Sequence, residues 1–136
     1  MNAPPETSRI LVVDDNAPGR YALSRTLRKA GFEVIEAATG QEALTLTDRE
    51  RPDLVLLDVN LPDIHGFEVA RRLKSGDRTR TTPILQLSAS AIRSEDRIDG
   101  LAAGADAYLV EPVDPGELIA NIRALLRLRN AETRLR

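Results

Sequence analysis

Apolar and polar positions along the chain fall into a repeating rhythm. Four short aliphatic runs stand out: Ile10-Leu11-Val12-Val13, Val34-Ile35, Leu54-Val55-Leu56-Leu57 and Ile84-Leu85-Gln86-Leu87. A weaker fifth follows at Tyr108-Leu109-Val110. Continuous runs of this length, rather than alternating ones, predict strands covered on both faces of a parallel sheet. The stretches between them carry helix punctuation. Asn16 is placed to cap a helix with Pro18 in its first turn, and Gly31 to close it. Thr39 and Glu42 have capping-box spacing and open a second helix that Pro52 terminates. Gly66 to Lys74 predicts a third, Ser94 caps a fourth that stops at Gly104, and Asp114, Pro115 and Glu117 open a fifth. In that last helix Leu118, Ile119, Ile122, Leu125 and Leu126 make an apolar stripe at helical spacing.

Strand and helix thus alternate five times. Right-handed crossovers then place helices on both faces, so the expected fold class is α/β, a doubly wound five-stranded parallel sheet. Residues 8–128 form the expected domain, 1–7 a disordered lead-in, and 129–136 a helical extension or the start of a linker to a following domain. In the fifth helix Ala124, Leu128, Ala131 and Leu135 lie at 4-3-4 spacing, on a side distinct from the apolar stripe. That is the spacing of a coiled-coil seam and points to a homodimer through the extension, with a frayed surface helix as the alternative.

Composition narrows the function classes. The chain has two Phe, two Tyr and no Trp, too few aromatic rings for a base-stacking platform. Its net charge is −2 with both signs interspersed until the Arg-rich end, so this domain lacks the clustered positive face that nucleic acid requires. With no cysteine, disulfides, thiolate metal sites and a cysteine nucleophile drop out. The N-terminus lacks a basic segment followed by an apolar one, and no apolar run approaches the ~20 residues of a membrane helix. The expectation is a soluble cytoplasmic domain with no membrane contact.

The chemistry lies at the strand ends. In open α/β sheets, ligands bind beyond the carboxyl ends of the strands. Asp14 and Asp15 follow the first strand, Asp58 the third, Ser88 the fourth and Glu111 the fifth. Asp14, Asp15 and Asp58, converging from two strands, make a hard oxygen site suited to Mg²⁺ or Mn²⁺. A carboxylate beside such a cation can act as a nucleophile towards phosphorus.

These segments carry a family resemblance. Ile10-Leu11-Val12-Val13-Asp14-Asp15-Asn16 resembles the opening motif of the receiver domains of bacterial two-component response regulators, and Leu57-Asp58-Val59-Asn60-Leu61-Pro62-Asp63-Ile64-His65-Gly66 resembles their phosphorylation loop. Leu87-Ser88-Ala89 and Gly104-Ala105-Asp106-Ala107-Tyr108-Leu109 resemble the two segments that follow. The resemblance spans roughly residues 8 to 128. It implies a flavodoxin-like (βα)5 fold with Asp58 as phosphoacceptor. It also implies a metal held by Asp14, Asp15, Asp58 and the backbone carbonyl of Asn60. Ser88 would hydrogen-bond a phosphoryl oxygen, and Tyr108 would swing inward when Ser88 moves. The implied donor is a phosphohistidine on a histidine kinase or phosphotransfer protein. The implied role is therefore a signalling receiver that catalyses its own phosphorylation, not an enzyme acting on a separate substrate.

One position departs from the family pattern. Receivers carry Lys before the proline that follows strand five, whereas this chain has Glu111-Pro112. Unit charges 4 Å apart at an effective dielectric near 20 interact by ~4 kcal/mol, so exchanging attraction for repulsion beside a phosphoryl group is a large local change. It leaves a second reading open: a pseudo-receiver that docks or dimerises without phosphorylation. A hydrolase using the acidic pocket is disfavoured, because no further residue offers an acid–base partner for a separate substrate. His65, in a polar loop, is read as solvated rather than as a metal ligand, and Gly66 as serving backbone geometry.

Overall fold

A computed structural model of the chain describes residues 7–88 and 94–134. The expected lead-in and the end of the tail lie largely outside the described residues. Five strands, β1 (Arg9–Val13), β2 (Glu33–Ala37), β3 (Leu54–Asp58), β4 (Ile84–Ser88) and β5 (Ala107–Val110), alternate with five helices. These are α1 (Ala17–Lys29), α2 (Gly40–Glu50), α3 (Gly66–Ser75), α4 (Ser94–Ala102) and α5 (Pro115–Arg134). Every strand pairing is parallel, in the order β2-β1-β3-β4-β5. The chain moves outward from β1 to β2 and then returns to β3 on the other side. The β1/β3 boundary is thus the switch point, where two loops diverge and leave a crevice.

The continuous aliphatic runs feed two cores. Leu11, Val13, Val55, Leu57 and Ile84 face one side with Val69, Ala70 and Leu73 of α3 and Ala43 of α2. Ile10, Val12, Leu54, Leu56, Leu85 and Leu87 face the other with Leu27 of α1 and Leu118, Ile122 and Leu126 of α5. Each fully buried aliphatic side chain is worth roughly 1.5–3 kcal/mol, so the sheet is the rigid part of the molecule, and the loops at its carboxyl edge are held by it.

The helix ends follow the punctuation closely. Asn16 accepts from the Gly19 N–H at 2.8 Å, and Gly31, at φ +102°, takes the left-handed turn after α1. Thr39 accepts from the Glu42 N–H at 3.1 Å, while the Glu42 carboxylate reaches one residue further back than in a capping box, to the Ala38 N–H at 2.7 Å. Before Pro52, Arg51 adopts φ 48° and ends α2, since a residue preceding proline is crowded out of the right-handed helical region. Asp114 caps α5 through the Glu117 N–H at 3.0 Å. α4 begins at Ser94, and the cap expected from its side chain falls outside the described residues. α3 starts at Gly66, as expected, and its N-cap is His65, whose Nδ1 accepts from the Phe67 N–H at 3.1 Å.

Candidate functional site

Asp14 is the first residue beyond β1, and its N–H still reaches the Ala37 carbonyl of β2 at 3.1 Å, so the sheet fixes its backbone. Its Oδ1 accepts from the Asn16 N–H at 2.9 Å, and the Arg20 guanidinium donates to its carbonyl at 2.8 Å. Asp15, next along, is exposed. Asp58 ends β3, half-buried, with Oδ1 accepting from the Asn60 N–H at 3.3 Å. One oxygen from each of Asp14, Asp15 and Asp58 lies within 4.8 Å of the others.

These carboxylates resist ionising together. Burial, then the charges of Asp14, Asp15 and Glu111, push the Asp58 carboxyl up to about 6 against the pull of the Asn60 N–H. Asp14 is raised for the same leading reason, burial, with the Asp15 charge adding to it. A cation among them would relieve that repulsion, and the donor set, all hard oxygen, fits Mg²⁺ or Mn²⁺ rather than a softer metal. Asp14, Asp15, Asn16, Gly19, Asp58, Asn60 and Glu111 line a single cleft of about 410 Å³.

Glu111 belongs to that cleft. Its N–H donates to the Ser88 carbonyl at 2.7 Å, which carries the β4–β5 ladder one residue beyond β5, and its peptide bond to Pro112 is cis. Burial and the Asp14 charge both raise its carboxyl pKa. Glu111 lines both the acidic cleft and the apolar groove next to it, close enough to Asp14 and Asp58 for the charges to act on one another. Ser88 and Tyr108 stand beside the cleft rather than in its lining. Ser88 is 2% exposed at the end of β4 and hydrogen-bonds Tyr108, whose ring is already buried at 7% exposure. Pro112 lines that apolar groove with Ala22, Leu23 and Thr26 of α1 and is not among the residues of the acidic cleft.

Three residues matter more than the sequence reading allowed. Asp63, in the loop after β3, accepts from the N–H groups of Gly40 (2.8 Å) and Gln41 (2.9 Å), and so ties that loop to the start of α2. No local signal marks this, because the partners are more than 20 residues away. His65 is exposed as expected, yet it caps α3 and meets Phe67 edge-on at 4.7 Å. Gly66 has a steric role and needs no unusual φ. A Cβ there would collide with the Asp58 carbonyl oxygen and come within 2.7 Å of the Val59 Cα and 2.8 Å of the Gln86 Nε2.

Comparison with known proteins agrees with this geometry. The family model of the response regulator receiver domain matches residues 10–123. The phosphate regulon transcriptional regulatory protein PhoB of Pseudomonas aeruginosa is 43% identical over 118 residues, which is 87% of this chain and 51% of that protein. The chain spans about half the length of the curated relatives it matches. Among solved structures, a response regulator from Chloroflexus aurantiacus superposes with a TM-score of 0.85 at 38% identity, covering 90% of this chain and 99% of that one. The receiver domain of a sensor histidine kinase from Pseudomonas aeruginosa, described with a magnesium ion coordinated in its active-site cleft, superposes with a TM-score of 0.79 at 32% identity, covering 91% and 98%.

Proposed function

The chain belongs to the response regulator receiver domain family of two-component signalling, and we propose that within it Asp58 is the residue that takes the phosphoryl group. The observation that carries this assignment is the convergence of Asp14, Asp15 and Asp58 in one cleft at the β1/β3 switch point. Asp58 is the half-buried acid at a strand end, aligned by the Asn60 N–H. Its carboxylate oxygen attacks phosphorus, a phosphorus–oxygen bond forms, and the bond to the donor's histidine nitrogen breaks with its electron pair leaving on that nitrogen. Asp14, Asp15, Asp58 and the Asn60 carbonyl would hold Mg²⁺ (or Mn²⁺), which when bound neutralises charge on the transferring group. The magnesium ion in the active-site cleft of the related kinase receiver supports a divalent cation in this cleft. Ser88 is the group for a phosphoryl oxygen, and Tyr108 follows it.

The donor in this reading is the phosphohistidine of a histidine kinase or phosphotransfer protein, and the domain has no separate substrate. Among the described residues no helix is long and apolar enough to cross a membrane; in this reading the domain acts in the cytoplasm, on the strength of its family. Residues 8–128 act as the receiver. The rest of α5 is a linker that pairs with a second copy. Glu111 is a brake: it places a negative charge where the phosphoryl group arrives, and it slows or shortens phosphorylation without removing the acidic set. The family assignment and the complete acidic cluster favour this over a phosphorylation-independent docking module.

Incubation with acetyl phosphate, with and without Mg²⁺, tests the assignment by intact mass and peptide mapping. The expected result is a Mg²⁺-dependent phosphate adduct on Asp58 that Asp58→Asn abolishes. An adduct that persists in Asp58→Asn would move the acceptor elsewhere.

A further inference from the structure

Helix α4 carries Gly100 in its interior, and glycine is the poorest helix former short of proline. Something at this position offsets that cost. A Cβ built on Gly100 would lie 2.7 Å from both Cδ2 and Cε2 of Tyr108 and 3.0 Å from Cε1 of Phe67. Non-bonded carbons settle at about 3.5–4.0 Å, so the edge of the Tyr108 ring occupies a notch that exists because residue 100 has no side chain. The ring is hemmed in elsewhere. Tyr108 is paired with Gln86 in the β4–β5 register, it is hydrogen-bonded to Ser88, and its centroid is 6.2 Å from that of Phe67. It cannot retreat from a methyl group at position 100 unless it leaves this buried position or α4 leaves the sheet.

We propose that Gly100 is a positioning residue that sets the resting state of the switch: by leaving room for the ring, it keeps Tyr108 buried and bonded to Ser88 before any phosphoryl group reaches Asp58. This rests on the reading of Ser88 and Tyr108 as the switch pair. It adds a third element, α4, whose bare Cα decides which position of the ring is populated. With the ring already inward, phosphorylation has less rearrangement left to drive, and the equilibrium is poised by one missing methyl group.

The chain's two tyrosines and lack of tryptophan supply the probe. Tyr21→Phe removes the exposed phenol on α1, keeps a ring there, and leaves Tyr108 as the single tyrosine reporter. In that background, acrylamide quenching of the full chain is compared for Gly100 and Gly100→Ala. The quenching constant is expected to rise at least threefold with alanine, as the ring enters solvent. An unchanged constant would overturn the proposal. Where Gly100→Ala is too unstable to measure, the same substitution is made on Tyr108→Ala. Without the ring, alanine is the better helix former and the unfolding midpoint rises, whereas with the ring present it falls; a fall in both backgrounds would overturn the proposal equally. Beryllofluoride binding in the presence of Mg²⁺ separates this from the reading beneath it, and its affinity is expected to drop severalfold in Gly100→Ala. A raised quenching constant with unaltered beryllofluoride affinity would uphold the notch and sink the switch role of Ser88 and Tyr108.

Discussion

Asp58 sits in a cleft that makes its own charge costly. An ordinary aspartate ionises near 3.9, and here the carboxyl holds its proton up to about 6. Between those two values the native state binds more protons than the unfolded chain, so this group's contribution to stability falls as pH rises through the window and is lowest above 6. Discounted for a half-open site, the penalty at neutral pH is roughly 1–2 kcal/mol. Asp58→Asn, measured without divalent cations, should therefore raise the unfolding midpoint by about 3–8 °C near neutral pH and by much less near pH 4.5. Mg²⁺ should bring the wild type towards the variant, because it offsets the same repulsion. An equal gain from Asp58→Asn at both pH values would show that the carboxylate is not strained. Glu111 adds to this charge. Titration calorimetry should show weaker Mg²⁺ binding in Asp15→Asn, and equal heats from both proteins would remove Asp15 from the ligand set. Glu111→Lys should lengthen the life or raise the yield of phospho-Asp58 by about tenfold, part of the ~4 kcal/mol available to a close pair at an intermediate dielectric. No change in either quantity would count against an electrostatic brake.

At the scale of elements, the loop after β3 is clamped from three sides: by Asp63 on the start of α2, by the Gly66 N–H on the Val59 carbonyl at 2.7 Å, and by the close approach of Gly66 to the Asp58 backbone. Gly66→Ala meets backbone atoms that cannot step aside, and overpacking of this kind costs about 1–3 kcal/mol. The expected outcome is a lower midpoint together with slower labelling of Asp58; retention of both would mean that the loop is more pliant than these contacts imply. Beneath the loop, Gln86 is fully buried, and among the described residues neither of its side-chain polar atoms has a hydrogen-bond partner. Gln86→Leu should leave stability unchanged or raise it by up to roughly 2 kcal/mol, because it removes an unsatisfied amide. A clear loss would reveal a partner for that amide. The sequence made the five strands, most helix ends and the acids at the strand ends legible, since each depends on neighbours a few residues away. Asp63 was opaque for the opposite reason: its hydrogen bonds cross from one loop to a distant helix. Gly66 was read correctly as a backbone position. Its steric cause appeared only when β3 and α3 were brought together, as did the notch at Gly100.

The whole molecule has more helix than its core needs. Leu126, at 7% exposure, is the last α5 residue in the core, yet α5 runs on to Arg134. The root of the extension is held: Arg129 donates to Asp53 at 2.8 Å, and Asp53 also receives the Arg9 N–H at 2.8 Å, so the helix leaves the sheet in a fixed direction. Ala124, Leu128 and Ala131 all lie exposed along it, Leu128 at 58%, and Leu135 falls outside the described residues. The three described positions keep the 4-3 part of the spacing expected of a coiled-coil seam, and a two-fold pair would bury them against a second copy. Arg127, Arg129, Arg134 and Arg136 flank that seam in the sequence, with Glu132 as the one acid among them, and would repel across a parallel pair; the Asp53 contact pairs Arg129 and so lessens that repulsion. Two heptads bury little area, so such an association would be weak on its own and responsive to small changes upstream. Sedimentation over a hundredfold range of concentration should show reversible dimerisation of the native chain, a shift towards dimer with beryllofluoride and Mg²⁺, and a monomer throughout for Leu128→Glu/Leu135→Glu. A native chain that stays monomeric in every condition would remove self-association by this segment, and with it the helix as a route for passing the state of Asp58 to a second copy.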